Sequence, residues 1–234
     1  MSSYKGHTIF ALLVSLMFFH SPLLIALTVV SANIPDFDHE FKLENVYKMI
    51  ILGLIVFISL YILKLPYYLG LIIVFLGLCF YFSEHRSFTH SIFGVSILAA
   101  CVSLILIWGF QLVIGVTDLD SHYFVMAILI ALLSLLFLNK KVLAIFIPAF
   151  FVSLIVLPQM KINYLLLISS IFLGLLSHIV LDSFTPAGIK IFAPVSQKKV
   201  YRNFGFACIM VFVIISIALH APVLFGLFEK YISA

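Results

Sequence analysis

Hydrophobic residues run along this chain in long unbroken stretches, and the polar positions fall in short islands between them. The stretches predict helices over Lys48–Leu63, Pro66–Phe82, Ser91–Val116, Tyr123–Leu138, Val142–Leu157, Ile162–Leu181 and Phe204–Phe225. Each approaches the ~20 apolar residues that carry a helix across a bilayer. They show no period-two alternation, which excludes the strand pattern of an outer-membrane barrel. Pro66 and Pro158 stand at ends, where proline is tolerated. Asn139-Lys140-Lys141 and Pro158-Gln159-Met160-Lys161 read as tight polar turns between antiparallel neighbours. The long polar stretch Thr185–Asn203 carries Lys190, Lys198, Lys199 and Arg202, which places it at the membrane interface.

The first apolar run, Thr8–Asn33, is too long for one simple span and is broken by His20-Ser21-Pro22. Serine followed by proline is a helix-start signature, with Ser at the N-cap and Pro at the first helical position. Two readings fit: one kinked helix, or a hairpin of two short helices that dips into the membrane and returns. Successive spans alternate sides, so the islands at 35–39, 84–90 and 182–186 emerge on one face. The hairpin brings Gly6-His7 to that same face, and it is the preferred reading.

Composition settles the class. Of 234 residues, 65% are hydrophobic and 9% charged, with a mean hydropathy of +1.29. A soluble domain of this length would lack the polar surface to face water. The expectation is an all-α, polytopic membrane protein, residues 1–234 forming a single integral membrane domain. It would have about seven or eight spanning helices plus the short N-terminal hairpin. The apolar N-terminus lacks a basic leader and a small-x-small cleavage site and reads as retained. Cys79, Cys101 and Cys208 fall in apolar segments without CxxC spacing and read as buried small hydrophobes.

Charge gives the orientation. With the hairpin, the island face holds Lys5, Lys42, Lys48, Arg86, Lys140, Lys141, Lys190, Lys198, Lys199 and Arg202, against Lys64, Lys161 and Lys230 on the other. Basic loops stay inside, so the islands face the cytoplasm and the chain sits in the plasma (inner) membrane. The net charge of +4 suits an anionic lipid surface. No basic patch with interleaved aromatics points to nucleic acid.

The islands are written in metal-ligand residues. Hydrocarbon penalises such residues by several kcal/mol each unless they are paired or wet. His178 and Asp182, four apart, share one helix face, as ligands of one metal do; a local His–Asp hydrogen bond is the plainer reading. Asp36 and Asp38 point the same way in an extended segment, and a cation between them would relieve their repulsion; a solvated turn is the alternative. His39 adds a third donor. In Glu84–Ser91, His90 is placed in the first turn of the next helix, capped by Ser87 or Thr89. Arg86 offers a planar fork for phosphate or carboxylate, or an ordinary pair for Glu84. His85 is a candidate general acid or base. His20, His122 and His220 lie away from the islands and read as interfacial, and Asp118 and Asp120 as solvated loop residues. No HExxH, GxSxG, CxxC or Walker loop is present.

Taken in order, Gly6-His7, Pro35-Asp36-Phe37-Asp38-His39, His85-Arg86-Ser87-Phe88-Thr89-His90-Ser91, and His178 with Asp182, Thr185, Pro186, Gly188 and Pro194 resemble the YdjM-like family. Its members are described as membrane-bound metal-dependent hydrolases, one of them as LexA-binding. The pattern covers residues 6–194, with Ser87 where that family commonly has glycine. The resemblance implies that His7 belongs to the site, which in turn supports the hairpin.

The expectation is therefore a hydrolase with a divalent metal, zinc first and manganese or iron next, at the cytoplasmic edge of the bilayer. His7, Asp36, Asp38, His90, His178 and Asp182 are its ligands, with His39 following. Arg86 would hold an anionic substrate group and His85 would transfer a proton. Membrane lipids and a phosphorylated or lipid-linked substrate are the expected partners. The competing readings are a metal or proton transporter and a membrane protein that keeps a metal only for folding.

Overall fold

Pro22 divides the first apolar run. α1 spans Tyr4–Phe18 and α2 spans Pro22–Ser31. Ser21 is extended between them and Pro22 opens α2, where its missing N–H leaves no helical bond unmade. The Ser21 side chain makes no capping bond. The two helices form a hairpin. Asn33, just past α2, donates through Nδ2 to Thr8 Oγ1 near the start of α1 (3.3 Å) and to Val29 O (2.9 Å). These contacts come from a computed structural model that describes residues 4–38, 43–83, 86–117, 121–157, 161 and 163–232, less the side chains of Asp38 and of 223–232.

The remaining helices follow the apolar runs: α3 Leu43–Ile62, α4 Tyr68–Phe82, α5 Ile92–Thr117, α6 His122–Phe137, α7 Lys140–Val156, α8 Tyr164–Ser183 and α9 Arg202–Ile232. Among the described residues, four helices are long and apolar enough to cross a membrane: α3, α5, α8 and the Arg202–Pro222 part of α9. α4, α6 and α7, expected as full spans, are shorter, at 15, 16 and 17 residues. Asn139 caps α7 by accepting from Val142 N (2.9 Å), so Lys140 and Lys141 lie inside its first turn.

α2 lies at the centre, packed by α1, α6, α7 and α8. Eight of its ten residues are buried, as expected of a helix that is apolar all round. Its closest neighbour is α8, where Gly174 presses on the α2 backbone. A Cβ at that position would come within 2.3 Å of Thr28 O. Small residues let transmembrane helices approach in this way. α5 packs on α4, α6 and α8, while α3 and α4 form a flanking pair. α9 lies along α8 and α1, with Phe212 edge-on to Phe18 and Ser216 Oγ donating to Met17 O.

Aromatic residues mark both ends of the α3–α4 pair. Tyr47 meets Tyr81 at one end, and Tyr61, Tyr67, Tyr68 and Trp108 cluster at the other. Amphipathic rings collect at the two membrane–water boundaries in this manner.

His90 departs from expectation. It sits in a 3-10 turn, Phe88–His90, ahead of α5, because Ser91 takes the cap: its Oγ accepts from Gly94 N at 3.0 Å. Neither Ser87 nor Thr89 caps the helix. After α8 the chain turns at Thr185, whose N–H and hydroxyl both donate to Asp182 O. Gly188 supplies the positive φ of 63° that the next bend needs. Ile189 pairs with Val200, and Ile191 O accepts from Ile92 N (2.9 Å). The stretch placed at the interface by its lysines thus also packs inward, burying Ile189, Ile191 and Ala193.

Candidate metal centre

Five expected donors meet at one end of the bundle. His7 comes from α1, Asp36 from the 3-10 turn Pro35–Asp38 after α2, His90 from the turn before α5, and His178 and Asp182 from α8. His7, His90, His178 and Asp182 are each 1% exposed or less, and the Asp36 side chain 14%. The hairpin delivers His7, and the i, i+4 spacing on α8 turns His178 and Asp182 to one side.

His178 is the hub. Its Nε2 lies 3.1 Å from His90 Nε2, 3.6 Å from Asp36 Oδ1 and 3.5 Å from Asp182 Oδ2. His90 Nε2 is 3.5 Å from Asp182 Oδ2 and 3.8 Å from Asp36 Oδ1. His7 stacks on His178 with centroids 3.8 Å apart, and its Nε2 lies 3.5 Å from Asp182 Oδ1.

The backbone fixes the His178 tautomer. Its Nδ1–H donates to Ala32 O at 2.7 Å; a carbonyl only accepts. In the neutral ring Nε2 therefore carries the lone pair that faces the other donors. Ala32 is the C-cap of α2, and the last carbonyls of a helix lack intrahelical partners. The end of the hairpin thus orients the hub histidine. On the other side, His90 Nδ1 lies 3.1 Å from Thr89 Oγ1, which itself accepts from Ser83 Oγ (3.3 Å).

The donor set fits a cation. Two combinations, His7–Asp36–His178 and His90–His178–Asp182, are compact enough to hold a metal ion. Ligands at tetrahedral bond lengths of ~2.1 Å stand about 3.4 Å apart, which matches the 3.1–3.8 Å separations of the Nε2 and carboxylate atoms. Asp36 faces these imidazoles. Burial pushes its carboxyl upward, but the facing His178 and the hydrogen bond to His90 outweigh burial and hold it below the usual carboxylate range. Two enclosed carboxylates are costly unless positive charge sits among them.

Arg86 stands at the rim. Its backbone is left-handed, at φ 62°, so the residue beside the glycine-like Ser87 position takes the strained turn. Its guanidinium donates to Thr185 Oγ1 (3.0 Å) and lies 3.8 Å from Asp182 Oδ1, with the side chain 16% exposed.

The backbone at Asp38 continues the 3-10 turn beside Asp36, but its side chain lies outside the described residues, as do His39, His85, Asp118 and Asp120. The remaining histidines sit apart from the centre: His20 and His220 approach one another at 5.7 Å, and His122 lies edge-on to Phe110. Sequence reasoning missed the roles of Ala32, Thr89 and Ser83. Ser83 had only the signal of lying next to the motif, Thr89 lay within it but was read as a helix cap, and a carbonyl has no sequence signal.

No curated protein and no solved structure matches the chain. A family model described as YdjM inner membrane protein matches residues 1–232.

Proposed function

The chain belongs to the YdjM inner membrane protein family, and from that premise we propose that it is a metal-dependent hydrolase working at the cytoplasmic edge of the inner membrane. The observation that carries this reading is the convergence of His7, Asp36, His90, His178 and Asp182 from separate parts of the chain into one buried cluster. Three imidazoles and two carboxylates suit zinc first, then manganese or iron. His178 offers a single inward nitrogen because Ala32 holds the other, so the two donor combinations that share it describe one ion. Asp38 and His39 complete the ligand candidates.

A divalent ion in this cluster supplies Lewis-acid charge at a phosphoryl or ester oxygen and acidifies water at neutral pH. The chain's own groups do the rest. Ala32 and Thr89 hold His178 and His90 with Nε2 turned inward, as partners of ligating imidazoles do. Arg86, steadied by Thr185 and Asp182, binds the anionic part of the substrate at the rim. His85, next along the chain, transfers the proton to the leaving oxygen. The substrate is a phosphate-containing or lipid ester that presents its head group at the membrane surface.

The whole chain is one integral membrane domain in this reading. α4, α6 and α7 join the four longer helices to give about seven spans, a short helix being accommodated by local thinning of the bilayer. The excess of basic residues on the centre's side holds that side in the cytoplasm.

The test is made on the full chain purified in detergent without chelator. Elemental analysis is expected to return about one transition metal per chain, with phosphoesterase turnover that chelation removes and zinc or manganese restores. Arg86→Lys is expected to keep the metal and raise KM for an anionic ester by roughly tenfold, because an ammonium cannot make the planar two-point contact. Protein that takes up no metal sinks the proposal. Metal-loaded protein that hydrolyses nothing but carries the ion into proteoliposomes replaces the hydrolase with a transporter.

A further inference from the structure

A long apolar groove lies between the hairpin and α7. Ile9, Leu12 and Leu16 of α1 and Ile145, Ala149 and Leu157 along α7 line it, and it encloses about 580 Å³. Phe150 is the only buried residue that α7 contributes, so this helix stands away from α1 and leaves the space open. At one end of the groove are Lys5 and Lys141. Both are exposed, and neither has a carboxylate partner among the described residues. This is the end that carries the metal centre, since Lys5 is two residues from His7.

The groove is not the mouth of that centre. At 100° per residue, Lys5, Ile9, Leu12 and Leu16 share one face of α1. His7 and Val14 turn the other way, His7 onto His178. The helix stands between the groove and the donor cluster.

We propose that this groove is a separate binding site for one chain of an anionic phospholipid, with the headgroup phosphate on Lys5 and Lys141. Its length fits. Lys5 to Leu16 covers about 17 Å along α1, and Lys141 to Leu157 about 24 Å along α7. The hydrocarbon core is ~30 Å thick, so the groove runs from the basic end to beyond the midplane and has room along it for a chain hanging from that leaflet. Its lining fits too: hydrocarbon along its length and cationic only where the headgroup belongs. An apolar cleft open to a bilayer is filled by lipid, and two lysines at the headgroup level select a negative one. The lipid would brace α1, the helix that carries His7, against α7.

The full chain, purified in detergent, would be titrated with dioleoylphosphatidylglycerol or dioleoylphosphatidylcholine and the retained lipid counted by native mass spectrometry. Wild type is expected to prefer phosphatidylglycerol by roughly tenfold or more. Lys5→Gln/Lys141→Gln is expected to lose that preference while still retaining lipid. Ala149→Trp, which fills the groove, is expected to lose both lipids. The size-exclusion profile serves as the folding readout, because neither variant touches the donor cluster. Undiminished phosphatidylglycerol preference in the double lysine variant overturns the proposal. So does a wild-type dimer that Ala149→Trp dissociates, since the groove's occupant would then be a second copy of the chain. The proposal needs a chain that sits in the membrane but not catalysis, so an inactive protein that still selects phosphatidylglycerol separates the two readings.

Discussion

His178→Ala and Asp182→Ala are expected to lose bound metal and hydrolysis together, with metal affinity falling by more than about a hundredfold. Removing a group that merely orients a ligand already costs 10–100-fold, and in the proposed site these two residues are themselves donors. The geometry puts them among the severest single losses. His178 Nε2 lies within 3.6 Å of His90, Asp36 and Asp182, and Asp182 touches His7, His90, His178 and Arg86. His90 reaches His178, Asp36 and Asp182 as well, so its loss is expected to approach theirs. Asp182→Asn keeps the size and removes the charge, so it is expected to fold and still bind metal poorly. Elemental analysis, size-exclusion profile and turnover, measured on the same preparations, separate loss of the centre from loss of the fold. Full metal content with wild-type turnover in either alanine variant would show that the catalytic ion sits elsewhere.

Gly174→Val is expected to destabilise the fold by about 3 kcal/mol or more, at the upper end of what overpacking a tight contact costs. The space for a side chain is occupied by backbone: Thr28 O at 2.3 Å and Ala32 N at 3.1 Å, with Ser31 Cβ at 2.8 Å. No rotamer change relieves that contact, so α2 and α8 must separate. The separation pulls Ala32 from His178 one helical turn further along α8, and the hub histidine loses its anchor. The variant should therefore melt several degrees lower in detergent and bind metal weakly, although Gly174 is no donor. A Gly174→Val protein with wild-type melting and metal content would mean that the α2–α8 approach is looser than described.

The polar islands were legible because hydrocarbon leaves a buried histidine or aspartate conspicuous. Asp36, His90, His178 and Asp182 were named as donors from the islands and His7 through the family resemblance, and the structure brings all five together. The hairpin was legible too, since His20-Ser21-Pro22 interrupts the first run where a continuous helix would not. Burial was not legible. Leu27 of α2 is fully enclosed and Ile155 of α7 is 85% exposed, yet both are equally apolar, because lipid and protein interior demand the same side chains. That is why α2 could not be recognised as the central helix, nor the cleft beside α7 as a cleft. His90 was misplaced by a few residues because three hydroxyl-bearing neighbours, Ser87, Thr89 and Ser91, competed for one cap and Ser91 took it. Ala32 had no signal at all: what it gives is a carbonyl, which every residue has.

The contact between α2 and α8 also bears on how the molecule is made. α2 is ten residues long and depends on α6 and α8 for most of its enclosure. No nascent chain that ends before Asp182 contains the full donor set. Until α8 has left the ribosome, His7 and Asp36 lack the residues that complete their cluster. Assembly of the cluster thus waits for α8, and a truncated product lacking α8 leaves those early polar groups with no destination.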